Sequence, residues 1–85
     1  MEMRRFELTN KQIEFLKEMY PDNELVQRVL SHENNGVFEV DVDTKIDFME
    51  YMEDESVYWM NPHHEPSAKT YMLESIRDDI YYQTN

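Results

Sequence analysis

The chain contains no cysteine. Disulfides, thiolate–metal sites and a cysteine nucleophile are therefore excluded, and a small domain without such staples depends on packing or on a partner. Glycine occurs once and proline three times in 85 residues. One glycine is too few for a glycine-rich phosphate-binding loop, which needs several backbone amides free of Cβ atoms. No apolar run approaches the roughly 18 residues of a membrane-spanning helix. The start, Met1-Glu2-Met3-Arg4-Arg5-Phe6-Glu7-Leu8, is too charged, and its apolar stretches too short, for a signal peptide. The expectation is one small cytoplasmic domain.

Bases are also scarce: eight Lys and Arg against nineteen Asp and Glu, a net charge of −11. Phosphate backbones and anionic lipid repel such a chain, so neither direct nucleic-acid binding nor membrane binding is expected. The complementary partner is a basic protein surface, toward which the charge steers association. Acidity that serves only solubility is the competing account. Disordered acidic tails are poor in aromatic residues. Here 13% of residues are aromatic and 40% hydrophobic, enough for one modest core.

Leu8-Thr9-Asn10-Lys11-Gln12-Ile13 is a helix start, with Thr9 and Gln12 as a capping box and Leu8 and Ile13 as a hydrophobic staple. Ile13, Leu16 and Tyr20 continue the apolar face until Pro21 stops the helix. Asp22 or Asn23 caps a second helix that buries Leu25, Val26, Val29 and Leu30, and Asn34-Asn35-Gly36 is expected to end it. This helix pair invites a helix-turn-helix reading, but its second helix offers only Arg28 and His32 to a phosphate backbone.

Val37–Asp43 alternates like a strand, with Phe38, Val40 and Val42 on one side, and Arg4–Leu8 is the expected antiparallel partner. Thr44 and Asp47 read as a second capping box, opening a helix through Met49 and Met52 toward Met60, with a possible break at Ser56. Asn61–Pro66 is a loop fenced by prolines. A last helix from about Ser67 to Tyr82 carries Ala68, Met72, Ile76 and Ile80 as its apolar stripe, widened by Leu73, with Asp78 and Asp79 toward solvent. The expected class is α+β: about four helices with a small two-stranded antiparallel sheet, mostly helical.

Residues 37–55 hold eight acids, Glu39, Asp41, Asp43, Asp47, Glu50, Glu53, Asp54 and Glu55, and one base, Lys45. On a strand, Glu39, Asp41 and Asp43 form a straight row of charges about 6.5–7 Å apart. Asp47, Glu50 and Asp54 fall on one face of the following helix. Such rows resemble a strand of phosphates electrostatically. Tyr51, between Glu50 and Glu53, adds an interface-forming aromatic. The candidate partner-binding residues are therefore Glu39, Asp41, Asp43, Asp47, Glu50, Tyr51, Glu53, Asp54 and Glu55, helped by Glu74, Asp78 and Asp79.

Other chemistries find less support. Glu39, Asp41, Asp43, Asp47 and Glu50 match much of a calcium-binding loop, but Thr44 stands where glycine makes the sharp turn. His63 and His64 lack converging ligands for zinc. No nucleophile motif or marked carboxylate pair accompanies the acids, so neither enzymatic activity nor a cofactor or metal is expected.

In charge, size and pattern the chain looks like the small acidic inhibitors carried by phages and other mobile elements. These include nucleic-acid-mimicking anti-restriction and anti-CRISPR proteins and acidic antitoxin or immunity proteins. The resemblance implies a non-enzymatic inhibitor that occupies a basic nucleic-acid-binding site. The alternative is a regulatory or structural adaptor docking through apolar and tyrosine contacts.

Overall fold

A computed structural model describes residues 2–84. It contains strand β1 (Met3–Glu7), helices α1 (Asn10–Met19) and α2 (Glu24–Leu30), strands β2 (Glu33–Asn34) and β3 (Val37–Asp41), and helices α3 (Val42–Tyr58) and α4 (Ala68–Thr84). The class is mostly helical α+β. The sheet has three antiparallel strands in the order β1-β3-β2, one more than expected.

The additional strand comes from Asn35-Gly36. Asn34 pairs with Val37 across this two-residue turn, and both turn residues have positive φ, 55° and 84°. That is the geometry of a tight hairpin, for which Asn-Gly is the strongest short-range signal. The segment read as a helix end is thus a strand reversal, and α2 already stops at Leu30. Glu33 Oε2 accepts the Gly36 N–H at 2.9 Å, and the Gly36 carbonyl accepts the Leu8 N–H at 3.0 Å. The hairpin is thereby tied to the end of β1.

β1 pairs with β3 from Met3↔Asp41 to Glu7↔Val37. This register places Phe6 opposite Phe38, and their rings stack at 5.2 Å on the inner face. The even-numbered residues flanking β1 bond toward β3, Leu8 through its N–H and Glu2 through its carbonyl. By antiparallel alternation, Met3, Arg5 and Glu7 turn their backbone groups to the free edge. Gln83 of α4 closes one end of that edge: its Oε1 accepts the Glu7 N–H at 2.6 Å and its Nε2 donates to the Glu7 carbonyl at 2.8 Å. Arg4 and Arg5 on so short a strand also discourage further strand addition.

The capping box at α1 is present. Thr9 Oγ1 accepts the Gln12 N–H at 3.2 Å, and Gln12 Oε1 accepts the Thr9 N–H at 2.9 Å. The buried Gln12 amide also donates to Asp79 Oδ2 at 2.8 Å, so one side chain caps α1 and joins it to α4. Asp79 is therefore half-buried and engaged, as is Asp78, which accepts from Arg77 at 3.1 Å; neither simply faces solvent.

The core collects Phe6, Phe38 and Val40 from the sheet, Ile13, Leu16 and Tyr20 from the first helix and its end, Val26 and Val29 from α2, and Phe48, Met52, Leu73, Ile76 and Ile80 from α3 and α4. The buried side of α4 runs through Thr70, Leu73, Ile76 and Ile80, while Ala68 is exposed and Met72 half-buried. The shift from the expected stripe has a local cause. Thr70 Oγ1 donates to the Ser56 carbonyl at 2.9 Å, and its N–H is capped by Ser67 Oγ at 3.2 Å, so a threonine is satisfied inside the core where α4 starts.

Replacing Gly36 with alanine places a Cβ 3.2 Å from the Leu8 carbonyl oxygen at φ +84°. Gly36→Ala is expected to cost about 1–2 kcal/mol, read as a lower urea midpoint with an unchanged slope.

Candidate partner-binding surface

Asp41 decides where the acids stand. The strand ends there and the helix begins at Val42, with Asp41 as N-cap. Asp41 Oδ2 accepts the Thr44 N–H at 3.0 Å, and Oδ1 accepts the Thr44 hydroxyl at 2.6 Å. Thr44 is thus the recipient of a cap three residues upstream, which corrects the expected Thr44 capping box. The helix then runs without a break through Ser56 to Tyr58, since Ser56 is buried and its hydroxyl donates back to the Glu53 carbonyl at 2.6 Å.

The straight strand row of three acids therefore does not form. Asp43 belongs to the first turn of α3, where its charge favours the helix dipole. At 100° per residue, Asp43, Asp47, Glu50 and Asp54 share a sector of about 60° and span about 16 Å of α3. All four are exposed. Among the described residues none of them forms an ion pair. The opposite side of the same helix buries Thr44, Lys45, Phe48, Met52 and Ser56.

The other candidates have different surroundings. Glu39 is exposed on the face of the sheet turned away from the helices, opposite Arg5 in the strand register. It borders a shallow depression of about 400 Å³ with Arg5, His32, Asn34 and Val37. Glu53 approaches Arg77 at 3.9 Å, an exposed contact that contributes little to stability. Glu55 is half-buried and accepts the Tyr20 hydroxyl at 2.9 Å.

Tyr51 is half-buried against the core rather than free on the surface, with its ring edge-on to Tyr20 at 5.6 Å. Burial first, and the Glu55 carboxylate second, raise the Tyr51 pKa, while the neighbouring polar side chain of Asn23 opposes them. Tyr20 is pushed well above the ordinary tyrosine range by burial and then by its bond to Glu55. The buried Trp59 indole N–H opposes part of that shift, although its geometry to the hydroxyl does not reach a hydrogen bond. Glu55, Tyr51 and Tyr20 thus fasten α3 to the end of α1. The tyrosines that do face solvent are Tyr58, Tyr71, Tyr81 and Tyr82.

A calcium loop requires residues 39–50 to wrap around an ion, and helix from Val42 onward directs Asp43, Asp47 and Glu50 outward instead. Among the described residues, no group of three or more His, Asp or Glu side chains is placed to hold a metal, and no helix is long and apolar enough to cross a membrane. Comparison with protein-family models, with curated proteins and with solved structures found no match.

The Asp41 carboxyl lies below the ordinary aspartate range because the Thr44 hydroxyl and then the Thr44 N–H bond its ionised form, with a smaller contribution from the Arg28 charge. A depressed folded-state pKa stabilises the fold above the unfolded value of about 3.9, and that stabilisation is lost as pH falls through the folded value. Asp41→Asn keeps a capping side chain but removes the titration. The variant is expected to lose less stability than wild type between neutral pH and about pH 2–3, measured as the change in urea midpoint across that interval.

Proposed function

We propose that this chain is a non-enzymatic acidic binding protein that occupies the basic nucleic-acid-binding site of a target protein, in the manner of anti-restriction or anti-CRISPR mimics. The observation that carries this reading is the stripe of Asp43, Asp47, Glu50 and Asp54, exposed and unpaired on one side of α3. Like charges three and four residues apart destabilise a helix by about 0.2–0.5 kcal/mol per pair. Only Asp43 gains from the helix dipole, and no basic residue stands in the last turn to offset the rest.

The stripe places one charge per roughly 5.5 Å of helix axis. Each strand of duplex DNA carries one phosphate per about 3.4 Å. The two linear charge densities are of the same order, so a groove of Lys and Arg built for phosphates has complementary charges for the stripe. The remaining acids raise the field without needing to touch the partner.

One observation favours the adaptor reading. Val57 and Tyr58, at the C-terminal end of α3, are 60% and 71% exposed. Docking through them predicts salt-insensitive association that Tyr58→Ala abolishes.

Affinity capture at rising salt separates the two readings. Mimicry predicts partners that are nucleic-acid-binding proteins and that dissociate as salt rises. Changing Asp43, Asp47, Glu50 and Asp54 together to Lys is expected to cost between about fourfold and about a thousandfold in affinity, given about 0.2–1 kcal/mol per exposed pair. Glu39→Lys, on the far side of the sheet, is expected to change little. A fourfold variant that retains its helical circular dichroism and every interaction eliminates the mimicry reading.

A further inference from the structure

Beside the acidic stripe, about a quarter turn around α3, lies a groove shared with α4. It has a volume of about 350 Å³ and is lined by Lys45, Ile46, Met49, Glu50, Glu53, Arg77 and Tyr81. Ile46 and Tyr81, which flank the same opening, are 44% and 45% exposed. Met49 packs on the core between them.

Two cations adjoin the groove, and both are engaged. Lys45 is buried, with Nζ donating to Thr84 Oγ1 at 3.1 Å. Arg77 contacts Asp78 at 3.1 Å and Glu53 at 3.9 Å, and lies 5.9 Å from the centre of the Tyr81 ring. Glu53 is engaged by Arg77, so the charge left free at the opening among the described residues is Glu50, which belongs both to this rim and to the stripe.

We infer that the groove receives an apolar side chain from the basic partner itself. The occupant is a Lys/Arg-rich protein segment that lays its cations along Asp43, Asp47, Glu50 and Asp54 and inserts one Phe- or Leu-sized residue between Ile46, Met49 and Tyr81. The inference rests on the acidic-stripe reading and adds what that reading lacks, a source of affinity. Exposed ion pairs are individually weak and screened by salt. Interfaces draw most of their affinity from a few buried anchors, while complementary charge supplies steering and register. Charge complementarity also selects the occupant, because a second copy of this chain would bring like stripes and a net −11 against each other.

Two synthetic peptides test this directly: an Arg/Lys-rich peptide with one central Phe, and the same peptide with Ser at that position. Calorimetric titration of the intact protein at low salt is expected to show the Phe peptide binding about tenfold tighter or more, the return from burying one aromatic side chain. Methyl resonances of Ile46 and Met49 should shift with the Phe peptide alone. Ile46→Ser, a change at an exposed position, should remove the difference and leave the Ser peptide's affinity intact. Equal affinities for the two peptides, or an advantage that survives Ile46→Ser combined with Tyr81→Ser, overturn the groove and leave the stripe standing. Failure of both peptides to bind overturns the stripe reading and the groove with it.

Discussion

The Asp41 cap sets the register on which the rest of the surface depends. Its carboxylate ends β3, accepts both the N–H and the hydroxyl of Thr44, and starts α3 one residue later. Because helical side chains repeat every 3.6 residues, that starting point fixes which of them turn inward. Phe48, Met52 and Ser56 go to the core, and Asp43, Asp47, Glu50 and Asp54 go to solvent. A start at Thr44 would have left Asp43 on the strand and broken the stripe. The continuity of β3 with β1 holds the cap in place, since the Val42 N–H still donates to the Glu2 carbonyl at 3.1 Å.

The fold divides the acids by use. Asp41 caps a helix, Glu55 holds Tyr20, Asp79 anchors Gln12, and Asp78 and Glu53 surround Arg77. These carboxylates have structural partners, so their presence needs no partner protein to explain it. Four on α3 have none among the described residues and gather on one sector of one helix. An acidic composition alone is explained by solubility; four unpaired charges concentrated opposite the core contact of a single helix form a directional surface. The adjacent groove of Ile46, Met49 and Tyr81 adds apolar area beside the stripe, which it meets at Glu50.

Much of this architecture was legible in the sequence. The Thr9–Gln12 capping box, the stop before Pro21 and a cap at Asp22 or Asn23, which Asn23 provides, rest on local chemistry that tertiary context leaves intact, and Arg4–Leu8 was the expected partner of the strand that begins at Val37, although that strand ends at Asp41 rather than Asp43. Two misreadings came from overlapping signals. Asp41-x-x-Thr44 and Thr44-x-x-Asp47 are both plausible caps, and alternation that continued through Val42 and Asp43 favoured the later one. The Asn35-Gly36 hairpin carries a strong turn signal, but placed after a helix it also satisfies the requirement for a helix end. Tyr51 has acidic neighbours in sequence, whereas in space it is half-buried beside Tyr20 and the core, a placement its sequence neighbours did not signal. The groove was not legible at all, since it exists only where Arg77 and Tyr81 of α4 meet α3.

The chain thus presents an uninterrupted helix whose outer side carries a row of exposed carboxylates and whose flank is apolar. The proposed mimicry requires that partner binding and nucleic-acid binding exclude each other on the same basic surface. The most direct measurement is competition: a partner captured on the immobilised chain is challenged with DNA or RNA oligonucleotides at constant ionic strength. The account predicts that the oligonucleotide releases the partner in proportion to its own affinity for it. A partner that binds the oligonucleotide while remaining on the chain contradicts the account.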